Sequence, residues 1–252
     1  MVARLAIFVY GVVAYVLFLG IFLYLPGFLC DWIVPRTVNT PVVDPTVDGG
    51  NTTSAVVINV LLLSLFAIQH SVMARPAFKE WWTKIIPKSA ERSTYVLATN
   101  LVLALFYWQW RPLPNEIWSA DNLAGQIVLY GMFALGIVIV LVSMFLIDHF
   151  ELFGLKQSYY QFVGKQIPSA SFKTPFLYQY VRHPLMVGFM IAFWVTPSMT
   201  VGRLLFAAVT TVYILIAIRI EERDLIAFFG DEYREYRKRT PMLIPRLSRK
   251  FQ

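Results

Sequence analysis

Residues 176–245 read FLYQYVRHPLMVGFMIAFWVTPSMTVGRLLFAAVTTVYILIAIRIEERDLIAFFGDEYREYRKRTPMLIP, and they decide how the chain is organised. Two apolar segments, 185–195 and 204–220, lie in this stretch with a break at Pro197 between them. Segments of this kind are typical of helices that lie in a membrane. The stretch therefore predicts a hydrophobic hairpin of two helices.

Charged residues stand at both ends of this hairpin. Arg182, His183 and Pro184 precede its first apolar segment, and Glu221 and Glu222 follow its second. If the two helices are antiparallel, both clusters return to the same face of the membrane. Charged groups at the edge of lipid are costly, so they mark a candidate functional site.

The composition is that of an integral membrane protein. Hydrophobic residues make up 58% of the 252 residues and charged residues only 15%, whereas soluble domains carry about 25% charged residues. The single cysteine excludes an intramolecular disulfide and a cysteine-only metal cluster. The net charge of +7 lies in loops between apolar runs, which favours contact with membrane lipids over nucleic-acid binding.

Six apolar segments predict an all-α bundle of about six transmembrane helices, forming a single domain over residues 1–252. The segments are 5–25, 55–73, 94–110, 123–147, 185–195 and 204–220. All but three of the 22 Lys and Arg residues then fall on the side of both termini, and the three are Arg36, Arg111 and Arg203. By the positive-inside rule this side is cytoplasmic, in an inner (cytoplasmic) membrane.

The segment after residue 220 is predicted to fold back over the cytoplasmic face as an amphipathic helix. Leu225, Ile226, Phe229 and Tyr233 have the spacing of one apolar stripe. About thirty residues are too few for an independent core. This segment is therefore expected to cover the site.

The predicted topology brings polar residues of distant segments to one membrane face. His70, His149 and His183, all the histidines of the chain, fall at cytoplasmic ends of spans, with Arg75 and Asp148 at a similar depth. Ionisable residues are otherwise rare in the apolar segments. We therefore expect a polar chamber at the inner leaflet.

The hairpin and its tail resemble a known superfamily of membrane enzymes. An Arg-His-Pro triplet, a pair of glutamates and a Phe-Gly-x-x-Tyr-x-x-Tyr tail are similar to the isoprenylcysteine carboxyl methyltransferase and phospholipid methyltransferase superfamily. The resemblance implies S-adenosylmethionine as the cofactor and requires no metal. The cofactor-binding residues that it implies are Tyr180, Arg182, His183, Pro184, Gly188, Glu221 and Glu222.

Several of these residues also have a structural interpretation. Arg182 is a typical anchor for lipid headgroups, and Pro184 suits the first turn of a helix, whose free N–H groups favour a carboxylate. Gly188 permits the close approach of either a ligand or another helix. One of Glu221 and Glu222 is expected to face the cofactor, and the sequence leaves open which one.

Three further stretches are similar to a narrower group, the NnrU-related bacterial methanethiol S-methyltransferases. They are QHSVMARPAFK (69–79), ERSTYVL (91–97) and DHFELFGLKQ (148–157). This resemblance implies that a small thiol, methanethiol, is methylated to dimethyl sulfide. The chain departs from the prenylcysteine and lipid enzymes at Met186, where they commonly have tyrosine.

Methylation of a thiol requires a group that removes its proton. The thiolate is the nucleophile, and an ordinary thiol, with a pKa of about 8.5 or more, is mostly protonated near neutral pH. We expect His70 or His149 to take the proton, Arg75 to stabilise the thiolate and Asp148 to orient a base. The sequence does not rank the two histidines.

Two other functions fit the same resemblance. A prenylcysteine carboxylate or a lipid is an alternative methyl acceptor on the same fold. NnrU relatives also include a haem-binding isomerase and accessory proteins, for which the three histidines are candidate ligands.

Overall fold

The computed structural model describes residues 1–40, 52–166 and 171–245, and these are largely helical. The helices in chain order are α1 (Val2–Cys30), α2 (Thr52–Ala74), α3 (Pro76–Trp82), α4 (Lys88–Gln109), α5 (Leu123–Ile147), α6 (His149–Leu152), α7 (Leu155–Val163), α8 (Pro184–Trp194), α9 (Val201–Phe229) and α10 (Asp231–Arg239). A 3₁₀ helix, Phe176–Gln179, precedes α8. Two short strands, β1 (Glu116–Ser119) and β2 (Ser198–Thr200), pair in antiparallel fashion.

Among the residues that the structure describes, four helices are long and apolar enough to cross a membrane: α1, α2, α5 and α9. The prediction of an all-α membrane bundle is confirmed to that extent. The other two predicted spans, 94–110 and 185–195, are helical, but neither helix is long and apolar enough by the same measure. The apolar helix α8 has 11 residues, which at 1.5 Å per residue is about 16 Å, short of the roughly 30 Å of bilayer hydrocarbon. The helix α4 starts with a polar turn at Lys88.

The helix α9 is longer than the predicted segment 204–220. It continues to Phe229, so Glu221 and Glu222 lie inside the helix and do not close it. The reason is local, because no proline or glycine follows Ile220 until Gly230. Gly230 has a φ of 61°, a conformation that glycine adopts readily. The predicted apolar stripe is therefore divided, with Tyr233 on α10 and the other three residues on α9.

The described residues form two compact units. The first unit comprises Met1–Ser119, Phe150–Pro168 and Ser198–Val209. Its core contains an aromatic cluster in which Trp110 lies 5.9 Å from Phe28 and 5.2 Å from Phe106, measured between ring centroids. The buried Arg203 contacts the Asp31 carboxylate at 2.6 Å. Pairing of this kind is required for a charge inside a protein.

The second unit comprises Ala120–His149, Ser169–Pro197 and Thr210–Gln252. Its helices α5 and α8 cross closely because each has a glycine at the contact. A Cβ atom placed on Gly188 would lie 2.7 Å from the Gly136 carbonyl oxygen, and one on Gly136 would lie 2.8 Å from the Gly188 carbonyl oxygen. Small residues at helix contacts are typical of membrane bundles. The helix-packing interpretation of Gly188 is thus realised.

Candidate functional site

The second unit joins the two charged clusters of the hairpin. Arg182 Nε donates to Glu222 Oε1 at 2.6 Å, and His183 Nε2 lies 3.1 Å from the same oxygen. These three side chains meet because α8 starts at Pro184, directly after His183, while α9 carries Glu222 in its interior. His183 and Arg182 precede Glu222 by 39 and 40 positions in the sequence, and the three residues form one buried ion cluster.

The two adjacent glutamates have different surroundings. The Glu222 side chain is 8% exposed and also lies 3.3 Å from Arg237 Nε. The Glu221 side chain is 46% exposed, and its carboxylate is 3.6 Å from His183 Nδ1. Glu222 is therefore the carboxylate that belongs to the buried cluster, a choice that the sequence left open.

Backbone groups of the segment after α9 complete the surroundings of Arg182. The Arg182 guanidinium donates to the carbonyl oxygens of Arg237 and Thr240. The backbone N–H groups of Arg182 and His183 donate to the carbonyl oxygens of Pro241 and Met242, at 2.9 and 3.2 Å. The segment that was expected to cover the site is thus bound to the Arg-His-Pro triplet through its main chain.

The two tyrosines of the tail point into the second unit. Tyr233 is 2% exposed, and the Tyr236 hydroxyl donates to the carbonyl oxygen of Tyr178. Burial raises the pKa of Tyr236 to about 12, and it also raises the pKa of Tyr233. Both phenols therefore remain protonated donors near neutral pH.

A cleft of about 250 Å³ opens beside this cluster. Its lining residues are Arg219, Glu222, Arg223, Ile226 and Arg237. Four of them lie on one face of α9 at the spacing i, i+3, i+4 and i+7. The cleft combines three guanidinium groups with one carboxylate, a set that fits a ligand carrying both charges. Sequence reasoning missed Arg237, since its helix shows only a general basic character.

The remaining predicted cofactor residues differ in accessibility. Tyr180 is 49% exposed and ends the 3₁₀ helix, whereas Pro184 is buried at the start of α8. The side of Gly188 where a Cβ atom would stand is filled by α5. A ligand contact at Gly188 therefore receives no support from this arrangement.

The residues predicted to activate the thiol are divided between the two units. In the first unit, the Tyr95 hydroxyl lies 2.8 Å from His70 Nε2, and Arg75 Nε donates to the Ser71 carbonyl oxygen at 3.0 Å. Asp148 and His149 belong to the second unit. That these four predicted residues form one cluster stays a prediction.

His149 lies directly after α5, where Asp148 turns the chain with a φ of 108°. The imidazole is 5% exposed and stacks on Phe145, with 4.4 Å between ring centroids. Burial lowers the pKa of His149, and the Asp148 charge opposes part of that effect. The neutral imidazole is the form that accepts a proton.

Among residues 1–40, 52–166 and 171–245, no three His, Cys, Asp or Glu side chains are grouped in a way that could hold a metal ion.

Comparison with known proteins identifies the family. The NnrU protein family matches residues 58–243. Methanethiol S-methyltransferase 2 of Bradyrhizobium diazoefficiens is 52% identical over 247 residues, which cover 98% of this chain and 93% of the relative. The methanethiol S-methyltransferase of Crocosphaera subtropica is 51% identical, with 98% of this chain and 95% of the relative covered.

A third relative, the methanethiol S-methyltransferase of Mycobacterium tuberculosis, is 50% identical, with 94% of this chain and 95% of the relative covered. No solved structure matches the chain. Because the identity is about one half over nearly the full length, the similarity extends well beyond the motifs of the hairpin. The chain therefore belongs to the NnrU family and, within it, to the methanethiol S-methyltransferases.

Proposed function

We propose that this protein methylates methanethiol to dimethyl sulfide with S-adenosylmethionine as the methyl donor. The observation that carries the proposal is the identity of about one half, over nearly the whole chain, to relatives named methanethiol S-methyltransferase. The ion cluster and cleft of the second unit supply a candidate cofactor site.

The cleft fits the amino-acid end of S-adenosylmethionine, which carries a carboxylate and an ammonium group. Arg219 and Arg223 are exposed on α9 and would hold the carboxylate, while Glu222 would face the ammonium group. Arg182 and His183 both contact Glu222, so their part is to hold its carboxylate in place. When bound, S-adenosylmethionine supplies an activated methyl group.

The protein must also align the acceptor and remove its proton. In-line displacement requires the attacking sulfur, the methyl carbon and the leaving sulfur to be collinear. We assign the proton to His70 or His149 and stabilisation of the thiolate to Arg75, with Asp148 orienting a base. The neutral state of His149, which its burial favours, suits such a role.

We further propose that the chain is a single domain that crosses the inner membrane six times, with both termini in the cytoplasm. The distribution of lysine and arginine supports this topology, since Arg36, Arg111 and Arg203 are the three that fall on the opposite side. In this topology α4 and α8 are the two spans beyond the four long apolar helices. A small volatile thiol then has access to the site from either water or lipid.

A methyl-transfer assay on the purified protein tests the proposal. Methanethiol, a prenylcysteine and phosphatidylethanolamine are offered as acceptors with radiolabelled S-adenosylmethionine. We expect label in dimethyl sulfide alone. Transfer to either of the other acceptors, or a purified protein with a haem spectrum and no transfer, would contradict the proposal.

Cofactor binding is tested separately by calorimetry. Arg182→Ala and His183→Ala are expected to weaken S-adenosylmethionine binding, because each removes a partner that holds Glu222. If both variants keep the wild-type affinity for S-adenosylmethionine, the cofactor site does not lie in the second unit, even if methyl transfer itself is confirmed.

A further inference from the structure

Two arginines contact the Glu222 carboxylate, and they are held very differently. Arg182 Nε lies 2.6 Å from Oε1, and its side chain is 9% exposed. Arg237 Nε lies 3.3 Å from Oε2, and its side chain is 52% exposed. Charge-assisted hydrogen bonds are usually about 2.7–2.9 Å long, and an exposed ion pair contributes little to stability. The Arg237 side chain can therefore exchange Glu222 for another partner at little cost.

Arg237 faces a cleft in which such a partner could bind. It lines the cleft of about 250 Å³ from α10, whereas Arg219 and Arg223 line it from α9. Gly230, with a φ of 61°, turns the chain between these two helices. Guanidinium groups bind carboxylates through two parallel hydrogen bonds. A ligand with a carboxylate is therefore the kind that arginines on both helices can hold together.

The backbone of Arg237 is fixed, although its side chain is loosely held. The Arg237 carbonyl oxygen accepts from Arg182 Nη1 at 3.2 Å, and the Thr240 carbonyl oxygen accepts from the same nitrogen. Tyr233, one turn before Arg237, is 2% exposed. The helix α10 therefore holds Arg237 at the cleft independently of the contact between Arg237 and Glu222.

We propose that Arg237 binds the carboxylate of S-adenosylmethionine, an inference that rests on the proposed methylation and its cofactor site. Glu222 Oε2 exchanges Arg237 for the cofactor's ammonium group, and the Arg237 guanidinium pairs with the cofactor's carboxylate beside Arg219 and Arg223. Glu222 Oε1 keeps its contacts with Arg182 and His183. Both Glu222 and Arg237 have an opposite charge beside them before and after the exchange, so neither ion is left unpaired.

The test compares S-adenosylmethionine with its decarboxylated analogue, which lacks only the carboxylate. Calorimetry measures Kd for both ligands in the full-length wild type and in Arg237→Gln. Glutamine removes the charge and keeps the carbonyl oxygen that Arg182 contacts. The matched control is Arg234→Gln on the same helix, because the Arg234 side chain is 56% exposed and pairs with Asp231 of α10 at 2.7 Å.

We expect Arg237→Gln to raise Kd for S-adenosylmethionine about 10- to 100-fold, the range for losing a hydrogen bond to a charged group. Kd for the decarboxylated analogue should stay unchanged or fall slightly, because its ammonium group no longer competes with Arg237 for Glu222. Arg234→Gln should bind both ligands like wild type. An equal loss for both ligands would show that Arg237 acts only through the fold of the tail and would overturn the proposal. Wild-type affinity for S-adenosylmethionine in Arg237→Gln would overturn it as well.

S-adenosylhomocysteine separates carboxylate binding from a general effect of the lost positive charge. It carries the same carboxylate and ammonium groups but has no positive sulfonium. We expect Arg237→Gln to weaken its binding as much as that of S-adenosylmethionine. If Arg237 acted only as a distant charge, it would repel the sulfonium, and Arg237→Gln would bind S-adenosylmethionine more tightly. That result would contradict the proposal.

Arg237→Lys provides a second variant, should Arg237→Gln not fold. Lysine keeps the charge without the planar fork of the guanidinium, so we expect a smaller loss that is again confined to ligands with the carboxylate. A loss shared by the decarboxylated analogue would contradict the proposal.

The wild-type protein tests the proposed cofactor site separately. If wild type binds S-adenosylmethionine and Arg237→Gln binds it equally well, the role of Arg237 fails and the cofactor stands. If wild type binds none of the three ligands, both fail.

Discussion

At the scale of single residues, position on a helix decides which of two identical side chains joins the site. Glu221 and Glu222 are neighbours on α9, and a helix turns by about 100° per residue. One carboxylate is therefore buried against Arg182 and His183, while the other is 46% exposed. Helical geometry alone says that the two glutamates face differently, but only the packing of α8 shows which one faces inward.

The adjacent pair provides a prediction with an internal control. Glu222→Gln removes the charge that Arg182 and His183 contact, and breaking a buried ion pair typically costs roughly 3–5 kcal/mol. We expect a clear loss of thermal stability and of S-adenosylmethionine affinity. Glu221→Gln, the same change one residue earlier, should alter both only slightly. Equal effects of the two substitutions would show that burial does not distinguish them.

The buried His149 predicts a dependence of stability on pH. Burial lowers its pKa below the ordinary value of about 6.5, so the folded protein favours the neutral imidazole more than the unfolded chain does. This stabilisation is complete above about pH 6.5 and is lost as the pH falls toward the folded pKa. Thermal unfolding should therefore show a steeper decrease in Tm below pH 6.5 for wild type than for His149→Gln. Parallel curves would contradict the assignment.

At the scale of elements, the contact between α5 and α8 depends on two glycines, which have no side chain. Gly136 and Gly188 face each other there, and each would bring a Cβ atom within 2.8 Å of the opposite backbone. Backbone atoms cannot move aside as a flexible side chain does. This contact fixes the short helix α8, whose first residue is Pro184 of the Arg-His-Pro triplet.

Gly188→Ala is expected to destabilise the protein by about 1–3 kcal/mol, the usual cost of an overpacked contact. The matched control is Gly131→Ala on α5, where an added Cβ meets no atom within 4 Å and the higher helix propensity of alanine is neutral or favourable. Unfolding in detergent measures both. If Gly188→Ala unfolds like wild type but fails to bind S-adenosylmethionine, the glycine serves a ligand and not the helix contact.

The ends of elements show where sequence patterns are informative. The predicted bounds of α5 are those of the structure, because Asn122 caps its first turn through a bond to the Gly125 N–H at 2.6 Å and Asp148 ends its apolar run. The end of α9 was predicted too early, since the apolar pattern stops at Ile220 while the helix continues through polar residues to Phe229. Hydropathy indicates which part of a helix lies in the membrane, but it does not indicate where the helix ends.

At the scale of the whole molecule, six predicted spans and the four long apolar helices imply two different topologies. Six spans place Asn115 outside the cell membrane and Lys165 in the cytoplasm, whereas four spans formed by α1, α2, α5 and α9 reverse both. Both residues are exposed. The single native cysteine, Cys30, is buried, which makes cysteine labelling practicable.

Asn115→Cys and Lys165→Cys are therefore made in a Cys30→Ser background and treated with a membrane-impermeant maleimide on intact cells. We expect labelling at position 115 from outside and at position 165 only after the membrane is opened. The opposite pattern would support four spans, which would move Asp148 and His149 at the end of α5 to the other face while Glu222 stays on the side of the N-terminus.

The side chains of the candidate site could be predicted from the sequence, but its backbone contacts could not. The Arg-His-Pro triplet and the glutamate pair were visible as charges beside apolar runs. The carbonyl oxygens of Thr240 and Pro241, which accept from Arg182, leave no mark on the sequence, because every residue has a carbonyl. The contact of the Tyr95 hydroxyl with His70 was likewise not predicted, since a single tyrosine in a helix most often contributes to the core.

The bond between Arg182 and Thr240 also sets an order of assembly. The two residues are 58 positions apart, and all of α8 and α9 lie between them. Closing so long a loop is entropically costly until the intervening helices have formed and been inserted. The carbonyl oxygens that surround Arg182 can therefore arrive only after both helices are in place. A chain delayed during insertion would carry Arg182, Glu222 and Thr240 and still lack their contacts, so we expect S-adenosylmethionine binding only in a fully inserted protein.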